Sequence, residues 1–122
     1  NMSAGSYKNF TARGETTVYF LAGDYYFRSF YTDSKVNMIF APGTRIWIAE
    51  NLRLGNENKL QQNNKKGDLF IYVGQNVSIE TKVQMNAVIV APNADMRLSS
   101  GCYVRGYLFA KSLDVQPECV IE

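Results

Sequence analysis

The sequence predicts an all-β domain: a short, three-sided, single-stranded parallel β-solenoid (β-helix) of about four to five rungs. Three observations predict it. Short apolar segments alternate with period two, turn residues separate them, and the same side-chain types return at intervals of 17–19 residues in the C-terminal part of the chain. Period-two alternation marks half-buried strands. A regular return of three strands per interval marks a coil of chain whose rungs pair in parallel about 4.8 Å apart.

The first segment of each rung reads as Met38-Ile39-Phe40-Ala41, Phe70-Ile71-Tyr72-Val73, Val88-Ile89-Val90-Ala91 and Tyr107-Leu108-Phe109-Ala110. Turn chemistry follows, as in Pro42-Gly43-Thr44, Gly74-Gln75-Asn76 and Pro92-Asn93-Ala94-Asp95. Second triplets come next: Ile46-Trp47-Ile48, Val77-Ser78-Ile79, Met96-Arg97-Leu98 and Leu113-Asp114-Val115. The third set is Leu52-Arg53-Leu54, Val83-Gln84-Met85, Cys102-Tyr103-Val104 and Cys119-Val120-Ile121. Helices compete poorly, because the triplets are short, rich in β-branched and aromatic residues, and repeatedly interrupted. An antiparallel sandwich accounts for strand spacing but not for the recurrence of like side chains.

In this alignment the step from Ile48 to Ile79 is 31 residues, a rung with a polar insertion expected at 55–67. The N-terminal third is less regular. Thr17–Leu21 and Tyr25–Tyr31 read as strands of a degenerate first rung. Residues 1–16 are expected to be a cap or tail, and 17–122 the solenoid domain.

A set of segments resembles the β-solenoid domain of bacterial surface, pilus-associated and fibro-slime type exported proteins. They are Leu21-Ala22-Gly23-Asp24-Tyr25-Tyr26-Phe27, Gly67 to Ile79, Ala91-Pro92-Asn93-Ala94-Asp95 and Leu108-Phe109-Ala110-Lys111-Ser112-Leu113. The likeness spans roughly 17–121, and its most specific part is the Ala-Pro-Asn-Ala-Asp turn followed one rung later by Ala-Lys-Ser. It implies a bacterial, non-enzymatic module that is secreted or held at the cell surface. The 55–67 insertion and the two cysteines depart from that pattern.

Composition narrows the chemistry. The chain has 122 residues, 46% hydrophobic and 20% charged, enough for one domain with a core. A formal charge of +2 gives no footprint for nucleic acid, and no apolar run is long enough for membrane insertion. Histidine is absent and only Cys102 and Cys119 are present. A His-based catalytic triad and a four-ligand Cys/His zinc site therefore cannot be assembled within one chain. No cofactor or metal is expected. Asp95 and Asp114 are the nearest approach to a carboxylate pair for glycan cleavage, but one sits in a turn and the other beside Arg97. The expectation is a protein that is not an enzyme.

The columns carry the functional expectation. Inward stacks are expected at Ile39/Ile71/Ile89/Leu108, Ile48/Ile79/Leu98/Val115 and Leu54/Met85/Val104/Ile121. On the first face the outward columns, Met38/Phe70/Val88/Tyr107 and Phe40/Tyr72/Val90/Phe109, are apolar as well. Such a face is either a binding surface or covered by other chain, here the N-terminal segment with Tyr7, Phe10, Tyr19 and Phe20. Trp47 is expected to point outward on the second face. The binding reading makes Phe40, Phe70, Tyr72, Tyr107, Phe109 and Trp47 the candidates for an extended polysaccharide, of plant cell-wall type, because sugar C–H faces pack on aromatic rings. The polar Gln61-Gln62-Asn63-Asn64 stretch is either a hydrogen-bonding edge to it or a solvated insertion. The other reading is an assembly module, stacking end to end with a second copy or with adjacent domains of a larger protein. Cys102 and Cys119 fall at equivalent places on successive rungs, which suits either a disulfide or two stacked thiols.

Overall fold

The computed structural model describes residues 1–62 and 69–122, and every regular element in them is a strand. The chain is a parallel β-solenoid of about 6 turns, each turn contributing one strand to each of three faces. Turn one holds β1 (Gly5–Ser6), β2 (Asn9–Ala12) and β3 (Thr17–Phe20). Turn two holds β4 (Asp24–Phe27), β5 (Ser29–Thr32) and β6 (Asn37–Phe40), and turn three β7 (Arg45–Ile48), β8 (Leu52–Leu54) and β9 (Lys59–Gln62). Turn four runs through β10 (Phe70–Val73), β11 (Val77–Ile79) and the start of β12 (Gln84–Leu98). The remainder of β12 with the start of β13 (Tyr103–Val115) makes turn five, and the rest of β13 with β14 (Val120–Ile121) makes turn six. The first face stacks β1, β4, β7, β10 and then β12 and β13, all parallel.

Several expectations change. Gly5–Ser6 and Asn9–Ala12, expected within a cap or tail, pair in register with β4 and β5 as the first turn. The segment Asn37–Phe40 belongs to the third face, paired with β3 and β9, so it is not equivalent to Phe70–Val73. The partner of Phe70–Val73 in turn three is Arg45–Ile48, which moves Trp47 to the first face, opposite Tyr72. The inward neighbours become Ile48 with Val73, Leu54 with Ile79, and Leu60 with Met85, each 25 residues apart rather than 31. Lys59–Gln62, expected inside an insertion, is strand β9 with Leu60 in the core. Residues 63–67 of that expected insertion lie outside the described residues. From turn four onward the expected columns hold: Ile71/Ile89/Leu108, Ile79/Leu98/Val115 and Met85/Val104/Ile121 are register partners.

The core changes character along its axis. The first turns are filled by Phe10, Phe20, Tyr25, Phe27, Phe30 and Phe40, the later ones mainly by Ile, Leu, Val, Ala and Met. Rings on successive turns stack directly: Phe10 on Phe30 at 4.3 Å and 19°, Phe20 on Phe40 at 4.5 Å and 18°. Each buried apolar side chain contributes about 1.5–3 kcal/mol before entropy, and each ring pair about 0.5–1.5 kcal/mol more. Buried polar groups are matched. Thr32 donates its hydroxyl to Asn58 Oδ1, and Asn58 Nδ2 donates to the Asp33 carbonyl at 2.7 Å.

One corner repeats a single device. Between the second and third faces, Glu15, Lys35, Glu57, Lys82 and Glu118 have φ of 57–67°, and Gly101 occupies the equivalent place in turn five. The N–H at each of these positions through Gly101 donates to the next turn along the chain, as in Lys35 to Asn56 O and Lys82 to Ser100 O. The third-to-first corner differs late in the chain, where β12 and β13 pass through it without a turn. Gly106 permits this: its φ is +153°, and a Cβ there would lie 1.9 Å from the Ala87 carbonyl oxygen.

Candidate ligand-binding face

Alternation along the first-face strands sends Tyr25 and Phe27, Ile46 and Ile48, Ile71 and Val73, and Ile89 and Ala91 inward, where all are buried. The intervening residues form two outward columns. One runs Ser6, Tyr26, Trp47, Tyr72, Val90, Phe109, and the other Asp24, Arg45, Phe70, Val88, Tyr107. From turn two to turn six this strip is about 19 Å long, four rung spacings. Tyr26, Tyr107 and Phe109 are 47%, 53% and 56% exposed, while Trp47, Phe70, Tyr72, Val88 and Val90 are half-buried. The N-terminal segment does not cover it, since Phe10 and Phe20 point into the core and Tyr19 is exposed on the third face.

The N-terminal half of the strip is ordered by ring and ion contacts. Tyr26 and Trp47 stack at 5.1 Å and 13°, and Trp47 leans on Phe70 at 5.8 Å and 56°. Arg45 grips Asp24 with two hydrogen bonds, of 2.9 and 3.0 Å, and its guanidinium lies 5.3 Å from the Trp47 ring centre. That pair neutralises itself, and no other residue of the two columns is charged. Gly23, Asp24, Gly43, Arg45, Trp47 and Phe70 border an open groove of about 690 Å³. At the corner beyond the columns, Gln75, Asn93 and Lys111 are exposed and give the strip a polar margin.

The other outward columns are more polar. The second face carries Thr11, Tyr31, Arg53, Ser78, Arg97 and Asp114, and the third Thr17, Asn37, Lys59, Gln84, Tyr103 and Val120. Arg97 and Asp114 are register neighbours, yet the ion pairs among the described residues are Arg28–Glu50 and Arg45–Asp24. Asp95 accepts a 2.6 Å hydrogen bond from Ser112, and Asp114 one of 3.1 Å from Gln116.

Of the expected binding residues, Phe70, Tyr72, Tyr107 and Phe109 stand on the strip, and Trp47 joins them from a different expected face. Phe40 does not. It is 2% exposed, inside the core against Phe20, because its strand belongs to the third face and has the opposite parity. Tyr26 was missed. Its signal was a repeated pattern, Asp24-Tyr25-Tyr26-Phe27, Arg45-Ile46-Trp47-Ile48 and Phe70-Ile71-Tyr72-Val73, with an aromatic at the third place each time.

Cys102 and Cys119 precede the register pair Tyr103–Val120, so their equivalence holds. The two sulfurs are unbonded in the structure. Cys102 Sγ donates to Glu80 O and Cys119 Sγ to Ser99 O, each at 3.0 Å. Burial pushes the Cys102 thiol above its ordinary range. It does the same for the Tyr25 hydroxyl, which donates to the carbonyls of Leu21 and Met2. No cluster of three or more metal-ligating side chains occurs among the described residues.

Residues 3–113 match the model of a domain of unknown function, DUF8470, and the chain belongs to that family. Neither a curated protein nor a solved structure matches it.

Proposed function

We propose that this DUF8470 domain is a non-catalytic, extracellular binding module that takes an extended, uncharged polysaccharide along its first face. The observation that carries the reading is the strip from Tyr26 to Phe109, largely aromatic and accessible, on a molecule whose other faces are more polar. Exposed aromatic rows of this size call for a partner. A neutral glycan suits the chemistry, because its C–H faces pack on rings while its hydroxyls need the tyrosine hydroxyls and the polar margin. The absence of net charge on the strip favours a neutral cell-wall glycan over an acidic one. Two rungs span about 9.6 Å, close to one disaccharide of an extended chain.

Depletion of the protein from solution by insoluble cellulose, xylan and chitin tests this. The wild type is expected to pellet with at least one of them, and a Tyr72→Ala/Phe109→Ala variant with an unchanged melting temperature is expected to stay in solution. Equal retention of the two proteins by every polymer contradicts the reading.

One observation favours a second reading, end-to-end assembly. In turn six the inward-column residues Leu113, Val115 and Ile121 are exposed, an apolar end that a second copy or an adjacent domain of a larger protein would cover. A second copy stacking there would give a mass that grows with concentration in light scattering and falls back in an Ile121→Asp variant. A single mass at all concentrations removes this reading.

A further inference from the structure

The corner that opens the third face stacks one inward residue per turn. Followed through the strand registers, that column runs Val36, Asn58, Val83, Cys102, Cys119. The first four are buried and Cys119 is half-buried. Cys102 and Cys119 are therefore neighbours on turns five and six, with their side chains on the same inner side. Two main-chain hydrogen bonds bracket the pair, from Gly101 N–H to Pro117 O at 3.2 Å and from Val120 N–H to Cys102 O at 2.8 Å. They hold the two Cα atoms near the strand spacing of about 4.8 Å, inside the range of about 4.4–6.8 Å that a disulfide spans. Both thiols point the same way along the axis. Cys119 Sγ reaches to Ser99 O on turn five, towards Cys102, and Cys102 Sγ reaches to Glu80 O on turn four. Burial is the main cause of the raised Cys102 pKa, and Cys119 adds to it through its charge and a side-chain hydrogen bond, which puts the two sulfurs within each other's reach.

We infer that Cys102 and Cys119 are a redox pair, joined by an intrachain disulfide that closes turn six when the domain meets an oxidant. The inference goes beyond the glycan reading and does not depend on it. The bond asks for one local change: Cys102 turns about its Cα–Cβ bond and releases the Glu80 carbonyl. The half-buried Cys119 meets the oxidant first. Its thiolate attacks one sulfur of an incoming disulfide, and the other sulfur leaves as a thiolate. Cys102 then gives its proton to water and attacks Cys119 Sγ, and the second thiolate leaves. Two protein thiols and one external disulfide become one protein disulfide and two external thiols, so two electrons pass to the oxidant. A dithiol reverses the sequence. The closed loop contains the whole of β13, with Tyr107 and Phe109 of the aromatic strip. Its return strand β14 has two residues, held by the register pairs Tyr103–Val120 and Val104–Ile121. A covalent tie between the start and end of this turn restricts the unfolded chain and secures the turn in the folded one. The reduced form is also complete, since each thiol has a carbonyl partner. Both redox states are therefore folded, and the pair can switch between them.

Thiol counting under denaturing conditions, after equilibration in graded mixtures of oxidised and reduced glutathione, tests this. The wild type is expected to lose both thiols together, to stay monomeric and to lose the mass of two hydrogens, with Cys102 and Cys119 cross-linked in the peptide map. The oxidised protein is expected to melt at least about 5 °C above the reduced one. Its amide exchange should slow within residues 103–121, and dithiothreitol should restore the reduced behaviour. Cys102→Ala is expected to keep glutathione on Cys119 as a mixed disulfide, because no second thiol displaces it. Cys119→Ser is expected to fold as the reduced wild type does and to gain no adduct, because Cys102 is buried. A folded wild type that keeps both thiols in fully oxidised glutathione overturns the inference. So does one that stops at a Cys119 adduct, or that forms its disulfide only between chains.

Discussion

Trp47 lies flat against Tyr26 one turn below it, with ring centres 5.1 Å apart and planes 13° apart, and the Arg45 guanidinium rests 5.3 Å from the same indole. One ring face of the only tryptophan is therefore occupied from within the chain. The indole is anchored at the head of the strip, and the exposed rings Tyr107 and Phe109 lie at its other end.

Leu60 tests the corrected register. It is 3% exposed and stacks with Met38 and Met85 on the third face. Leu60→Ala is expected to cost about 2–5 kcal/mol in a urea titration. A surface insertion at that place would tolerate the change almost without cost.

Gly106→Ala is expected to be among the most damaging single substitutions, at about 3 kcal/mol or more. The new methyl would meet the Ala87 carbonyl and the backbone φ is one that L side chains rarely adopt. Loss of soluble expression, or a melting temperature lowered by many degrees, is the expected readout.

The left-handed corner gives the opposite sign. Lys35 holds φ at 59° on the surface, so Lys35→Gly relieves backbone strain. Its flexibility in the unfolded chain offsets part of that gain. A net stabilisation of about 0.5–1 kcal/mol is expected, whereas Lys59→Gly in strand β9 should destabilise. Equal effects at both positions would contradict the corner assignment.

The titrating groups set an alkaline limit. Cys102 and Tyr25 both hold their protons more tightly when folded, chiefly because burial disfavours their charged forms. The unfolded chain releases the thiol proton from about the ordinary value of 9.0 upward while the folded chain retains it. Their contribution to stability is thus fully present below that value and is lost as pH rises towards the raised folded values. Melting temperature is expected to fall as pH rises above about 9, and less steeply in Cys102→Ala. In the same range the partly buried Cys119 should be alkylated before Cys102.

The later turns were legible because they contain little but strand and short turns, so their 17–19 residue period is unbroken and three apolar columns follow from it. The earlier turns run 20–25 residues, and the residues added at their corners blur the period. Met38-Ile39-Phe40 is apolar at every place, so alternation alone does not say which parity faces inward, and the structure turns Met38 and Phe40 into the core. Strand β9 has one apolar residue among Lys59, Leu60, Gln61 and Gln62. It is a strand because β6 and β12 flank it with paired backbone, a property of its neighbours rather than of its own sequence. A common step of 25 from Ile46, Leu54 and Leu60 to Ile71, Ile79 and Met85 was the signal that locates all three faces at once. The aromatic strip was half visible for the same reason: its turn-four to turn-six members lie in the regular region, and Tyr26 and Trp47 do not.

The single tryptophan makes the central claim directly measurable. Acrylamide quenching of Trp47 fluorescence, with and without saturating tetrasaccharide or soluble polymer, reads whether a glycan covers the strip. A lower quenching constant and a shifted emission maximum are expected when glycan is bound, both absent in Tyr72→Ala/Phe109→Ala. Quenching that is unchanged while the protein is demonstrably bound would place the ligand elsewhere and contradict it.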